Sequence, residues 1–489
     1  MMNLQNEQEI SNERQEKIEQ AADLESTAKM YMRTIVHNDD QLIINISKEF
    51  SLFPKVPPRL QNSEMLKDYF DPKIVSFGPY HHRKVELQAA QMIKTKVMRS
   101  FILANGKTIE DLYIKVRLLN KDARDSYVDG STDAYGDEEF APMMLQDGCL
   151  ILFLIEWETL TSQKYTINNP DQMFMYSEIL LIIAKQLGPL EHKYLYRDMF
   201  LLENQIPFIV LKDLMSNIYN ENKGLTMIKS YLYTMNWGNF QKQDTQDKDE
   251  EEPVHLLGLL KTLISKCRNH HEEKPENKDK DVTRYLQSSG SFSDLQAKGI
   301  NLKPGNSRSL LSALLKEKPK SICLRDVDFR SGFLTGELKL PPLFVGDDFQ
   351  VYYTNLIAFE MCDIPYDFTV ISYFNFMNSL IDNPEDVKTL RSKRIIFHSL
   401  NTDKEMFKWL KELSSLDLST PNWLPNFFIH QGVREKIERH YNNKIKIWIA
   451  DIRHEYFSHP WSAISLLAAV VVLILAFLQT FFTIYPRKA

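Results

Sequence analysis

The chain is poor in cysteine, carries no excess of basic charge and contains none of the short motifs that mark familiar catalysts. Its four cysteines, Cys149, Cys267, Cys323 and Cys362, stand far apart with no CxxC pair. That spacing excludes a dense disulfide framework and reads as free, buried thiols in a reducing compartment. The formal net charge of -6 over 489 residues excludes a global basic field for nucleic acid. No GxSxG, GxxxxGK[ST], HExxH or EF-hand loop occurs. The opening "MMNLQNEQEISNERQEKIEQ" lacks the apolar core of a secretory leader, and Met2 stands where a myristoylation signal needs glycine. Residues 1–38 read as a polar tail without a fixed fold. No period of 20 to 50 residues repeats, which excludes a solenoid.

What the sequence does have is one long apolar run near its end, "HPWSAISLLAAVVVLILAFLQTFFTIYPRKA". From Pro460 to Pro486 there is no Asp, Glu, Lys or Arg. A helix needs about 20 apolar residues to cross the hydrocarbon core, and Ile464 to Ile484 supplies them, Leu475 and Phe482 included. Trp461 and Tyr485 bracket the run as interfacial aromatics do. The expectation is a single membrane helix over 456–485 with a short 486–489 tail and a lipid bilayer as partner through 461–485. The missing leader and the late position predict post-translational insertion with the bulk of the chain in the cytosol, at the plasma membrane or an endomembrane.

The rest reads as mainly α: one large helical domain, 39–455, with a small antiparallel β region. Leu87, Ala90, Ile93, Val97 and Phe101 recur at helical spacing. "SYVDGSTDAYGDEEFAP" reads as an acidic loop, and the apolar run from Cys149 to Ile155 as a buried helix. "SEILLIIAKQL" and "RDMFLLENQIPFIVLKDLM" predict two more helices, with Pro207 kinking or starting one. Residues 236–283 hold two charged linkers around the amphipathic "VHLLGLLKTLISK", which is expected to dock on the domain. Residues 321–352 alternate apolar and polar and predict two or three short strands. Thr402 and Glu405 form a capping-box signature, and Ile445, Trp448, Ile449 and Ile452 share a helix face.

Candidate chemistry is sparse, and each candidate has a bland counterpart. His81, His82 and Glu86 suggest a metal, but adjacent histidines point apart and lack a further ligand pair. Cys267, His270 and His271 lie in a charged linker. Asp147-Gly148-Cys149 resembles a nucleophile turn, but a cysteine opening an apolar run is usually core. Glu203 and Asn204 interrupt an apolar segment and need buried partners, through a structural hydrogen-bond network reaching Arg197 or a loop end, or else in catalysis. Neither a cofactor nor a metal is expected.

Several blocks in fixed order resemble the plant family called "domain of unknown function 247". They are "KVPPRL" (Lys55 to Leu60), "VSFGPYHH" with Gly78, Pro79, Tyr80, His81 and His82, and "MLQDGC" with Asp147, Gly148 and Cys149. Next comes "DMFLLENQIP", with Leu202, Glu203, Asn204, Gln205 and Pro207. The blocks at 295–300, 324–329, 338–343 and 355–360 follow, and the "PWSAIS" anchor with Pro460 and Trp461 completes the set. The sequence departs from the family pattern at Lys55, Arg83, Ala90-Gln91 (Lys94 being kept) and Phe292 to Leu295.

The resemblance implies a mainly helical, membrane-anchored plant protein with no established catalytic activity. Some grass members are implicated as pollen-side determinants of self-incompatibility. It therefore points to recognition or signalling through an unidentified protein partner, without nucleic acid or metal. Variable contacts are expected in loops such as 122–140 and 236–283. Two alternatives stand beside this: an enzyme with a polar pocket around Asp147, Glu203 and the His81-His82 pair, and a general stress or developmental protein of the same family.

Overall fold

In a computed structural model, the described residues are 53–162, 170–188, 191–219, 223–235, 252–265, 291–305, 323–332, 335–362, 367–415, 430–442 and 460–484. The 1–38 tail, the charged arms of 236–283, Cys267, His270, His271, the 445–452 face and Tyr485 lie outside them. All described residues belong to one unit, Phe53–Ala489.

The first half is helical. It comprises α1 (Gln88–Ala104), α2 (Ile109–Leu118), α3 (Asp137–Ser162), α4 (Pro170–Leu187), α5 (Lys193–Asp198), α6 (Phe208–Ile218), α7 (Lys223–Met235) and α8 (Leu256–Ser265). Helix α3 is the axis of the packing, with α1, α2, α6 and α7 around it. It is long and apolar enough to pass for a membrane span, yet most of it is buried inside the protein. A helix apolar on every side is what a core position requires. The expected loop before it is shorter than its sequence suggests. Asp137, Glu138 and Glu139 form the first turn of α3, where carboxylates favour the helix dipole, and Pro142 is tolerated close to that end. The predicted face of α1 is buried: Ala90, Ile93, Val97 and Phe101, with Leu87 just before it.

The second half mixes short strands with helices: α9 (Phe292–Ala297), β1 (Ile300–Pro304), β2 (Asp328–Ser331), β3 (Gly336–Leu340), β4 (Leu343–Val345), α10 (Asp347–Glu360), α11 (Thr369–Leu380), α12 (Pro384–Ser392), β5 (Ile396–His398), α13 (Asp403–Ser415), α14 (Gln431–Tyr441) and α15 (Pro460–Ile484). The β region is mixed, not antiparallel as expected. β2 and β3 form the antiparallel hairpin, but β1 joins β3 in parallel, and β4 pairs with β5 in parallel. The parallel partners come from outside the 321–352 stretch, so local alternation does not reveal them. Helix resumes at Asp347, inside that stretch.

Other expectations are met or corrected locally. α8 docks through Leu256, Leu257, Leu259, Leu260, Leu263 and Ile264, all buried. Thr402 Oγ1 accepts from Glu405 N (3.2 Å), but Glu405 Oε2 bonds Asn401 N instead of completing a reciprocal box. Full capping boxes occur at Ser291/Asp294 and Asn383/Asp386. Cys149 and Cys362 are free thiols, but Cys323 is disulfide-bonded, which corrects the reading of free thiols throughout.

Candidate functional site

The motif blocks meet in one buried junction. The chain from Asp71 to His82 runs irregularly against the stretch from Met199 to Pro207, which is also irregular. The latter was expected to be helix. Its polar side chains instead satisfy buried backbone groups, so the segment does not need a helical ladder. Pro207 then starts α6 with its fixed φ.

Asn204 is the centre of this exchange. Its Oδ1 accepts from Phe77 N at 2.7 Å, and its Nδ2 donates to Val75 O (3.0 Å) and Asp198 O (2.8 Å). Gln205 Nε2 donates to Met199 O (2.7 Å) and Leu201 O (2.8 Å), and its Oε1 accepts from Leu257 N (3.1 Å), which ties in α8. Asp198 receives Lys73 N, Ile74 N and Val75 N, and pairs with Arg197 at 2.7 Å. Burial pushes the Asp198 carboxyl above its usual range, while those N–H groups and Arg197 pull the other way. Arg197 therefore serves Asp198, not Glu203. Across the junction, Asn355 Oδ1 accepts from Leu202 N and its Nδ2 donates to Tyr69 O.

Asp147 comes from the middle of α3. Its Oδ2 accepts from Gly78 N at 2.8 Å, and its Oδ1 lies 2.5 Å from Lys94 Nζ. Both side chains are fully buried, and the same ammonium also donates to Ser76 O. Gly78 sits at φ +70°, and a Cβ there would meet Gln205 O at 2.5 Å and Tyr127 Oη at 2.8 Å. Glycine is required both for the turn and for the close approach. Gly148 is tight for another reason, because a Cβ would lie 2.4 Å from Leu214 Cδ1 of α6. Cys149 is fully buried, and burial pushes its thiol far up, away from a reactive thiolate.

The rim of the junction is held as firmly. Glu203 Oε1 accepts from Val56 N (2.8 Å) and Gln61 Nε2 (3.2 Å), and Glu203 Oε2 lies 3.8 Å from His81 Nε2. Burial, helped by Lys84, pushes His81 down to about 4, so its ring is neutral at pH 7. His82 turns elsewhere, edge-on to Tyr135 with centroids 5.7 Å apart. Tyr80 Oη donates to Phe53 O, Tyr135 Oη to Pro79 O and Tyr127 Oη to Gln205 O. The 122–140 loop, expected to be free for contacts, is thus partly pinned; Arg124 further binds Thr132 O and Tyr135 O. Asp147 and Glu203 belong to this one network, but they do not face a common open cleft.

Lys94, Asp198 and Asn355 are the buried partners in this clamp that motif reading leaves without a role. Lys94 carried a signal, since a lysine on the buried face between Ala90 and Val97 must have a counter-charge. The departing positions are locally satisfied. Arg83 bonds Ala134 O and stacks over Tyr135 at 4.5 Å, and Gln91 Nε2 reaches Ser76 Oγ at 3.2 Å.

The profile of the DUF247 family, described as plant proteins of unknown function, matches residues 53–475. The chain belongs to that family. Among curated relatives, the UPF0481 protein At3g47200 of Arabidopsis thaliana is 26% identical over 422 residues, covering 84% of this chain and 82% of its own length. A second Arabidopsis thaliana UPF0481 protein, At3g02645, is 26% identical over 199 residues, 40% of this chain and 33% of its own length. No solved structure matches. In this DUF247 chain the hallmark residues at 78–82, 147–149 and 202–207 build one structural clamp. The block at Pro460 is separate: Pro460 and Trp461 open α15, on which Ile464 and Leu475 are 57% and 59% exposed.

Proposed function

We propose that this DUF247 protein is a membrane-held recognition or signalling protein without a catalytic role, its 39–455 domain presented to a protein partner and its 456–485 segment the anchor. The observation that carries this reading is α15. It is 25 residues long and free of charge, and every side chain from Ala468 to Phe481 is exposed. At 1.5 Å per residue it reaches about 37 Å, against roughly 30 Å of hydrocarbon. Exposing such a surface to water is costly, and lipid is the medium that removes the cost. The use of Asp147, Glu203 and Cys149 in holding the fold supports the non-catalytic part of the reading.

For the side of the membrane, the reading keeps the cytosolic placement expected from the sequence. The specific version of the reading is reproductive recognition, with the protein as a pollen-side self-incompatibility determinant. Pollen-restricted expression with allelic diversity would separate it from a general stress or developmental role.

Proximity labelling from the N-terminus of the full chain in plant cells tests the recognition role. A reproducible membrane-associated protein partner is the expected result. Recovery of insertion machinery and chaperones alone would overturn it. For the orientation, protease added to sealed microsomes from cells expressing the full chain should digest the domain without detergent. Protection of the domain until detergent is added would place it in the lumen.

A further inference from the structure

Away from the motif junction, α1 and α4 pack along each other and against α3. Phe101 of α1 and Tyr176 of α4 both meet Phe153 of α3, with ring centroids 6.2 Å and 5.4 Å away. The end of α1 lies beside the start of α4. Asn105 Nδ2 donates to Tyr176 Oη (3.3 Å), and Gln172 Nε2 donates to Asn105 Oδ1 (3.4 Å). The two helices therefore run antiparallel, with their inner faces in the core and their outer faces side by side.

Each outer face carries one stripe at helical spacing. On α1 the stripe is Met92, Lys96, Arg99 and Leu103, and every member is exposed. On α4 it is Phe174, Glu178, Leu181 and Lys185, again all exposed. Exposure of the apolar members runs from 54% at Leu181 to 66% at Leu103. Single exposed apolar side chains are ordinary, but several on two adjoining stripes form a face that water disfavours. The cations have no use inside the fold. Among the described residues, the side chains of Lys96, Arg99 and Lys185 have no ion-pair or hydrogen-bond partner.

Within the two stripes three cations stand against one carboxylate, Glu178. Lysine is depleted at the centres of protein interfaces. Phe, Leu and Met interleaved with Lys and Arg suit the headgroup layer of a bilayer instead, where apolar side chains enter the acyl boundary and cations meet anionic lipid. Residues 443–459 join Asn442, just past α14, to Pro460 of α15. A stretch of that length reaches at most about 60 Å, so the domain stays within that distance of the membrane that holds α15. We propose that the α1–α4 face docks on the anionic surface of that bilayer. The docking rests on α15 lying in lipid.

The test uses the full chain in nanodiscs, with the photo-crosslinking residue p-benzoylphenylalanine placed at position 174, 475 or 388 and lipid adducts read by mass spectrometry. Lys388, exposed on α12, gives the background. Position 475 should capture lipid in every disc. Position 174 should capture lipid at least about threefold better in discs with about 30% phosphatidylserine than in pure phosphatidylcholine, and less at high salt. Lys96→Glu with Arg99→Glu, both exposed changes, should bring capture at 174 down to background. Capture at 475 and the melting temperature should not change. Capture at 475 with only background at 174 would overturn the docking and leave the anchor standing. Absence of capture at 475 would overturn the anchor and the docking with it. Capture of a protein in place of lipid at 174, in irradiated plant membranes, would assign the face to a protein partner and overturn the docking.

Discussion

At the residue scale, the decisive pair is Lys94 with Asp147, both without solvent contact. Breaking a buried ion pair on one side leaves an uncompensated charge, at a cost of about 3–5 kcal/mol. Lys94→Met should therefore destabilise the domain by about that much in chemical denaturation, and adding Asp147→Asn should recover part of the loss. A double variant no more stable than Lys94→Met would deny the pairing. Gly78→Ala combines positive-φ strain with contact against the Gln205 carbonyl, and roughly 2–4 kcal/mol is expected by the same measurement. Asp147, Gly78 and Asn204 were legible in the sequence as polar or glycine positions amid apolar stretches. Their partners were not. Lys94 is 53 residues from Asp147 and Phe77 is 127 from Asn204, and nothing local in a sequence pairs such distant groups.

At the element scale, the 199–207 segment shows why periodicity misled. Its apolar residues fit a helix, but Asn204 and Gln205 replace the missing ladder with side-chain bonds. Asn204→Ala should orphan several of these groups and cost roughly 2–4 kcal/mol, read as a lowered denaturant midpoint. The helices α1, α3 and α8 were legible because one face or a whole surface is apolar. The parallel pairing of β1 with β3 and of β4 with β5 was not, because each joins strands separated by more than thirty residues.

Acid sensitivity also belongs to elements. His81 is held down to about 4 and His255 at the start of α8 to about 3, both mainly by burial. The unfolded chain titrates these rings near 6.5, so it binds more protons than the fold below that pH. Their contribution is complete above about 6.5 and is lost as pH falls toward 4, by on the order of 2 kcal/mol per ring at pH 5. Glu360 opposes this. Burial pushes it up to about 8, which costs stability as pH rises from about 4.5 toward 8. Comparing wild type with His255→Gln isolates the histidine. The variant should lose less melting temperature between pH 7.5 and 5, and an equal loss would contradict the burial account.

At the scale of the whole molecule, two long apolar helices carry opposite meanings. α3 is surrounded by α1, α2, α6 and α7, whereas α15 exposes an apolar surface from Ala468 to Phe481, interrupted by Gln479 and Thr480. Composition alone does not separate the two; packing does. The account's central claim is that α15 sits in lipid. The direct measurement is alkaline carbonate extraction of membranes from plant cells expressing the full chain, beside a Val472→Arg/Leu475→Arg variant. The full chain should stay in the membrane pellet at high pH and the variant should move to the supernatant, since each arginine at mid-span costs about 2.5–3.5 kcal/mol. Release of the unaltered chain into the supernatant would contradict the account.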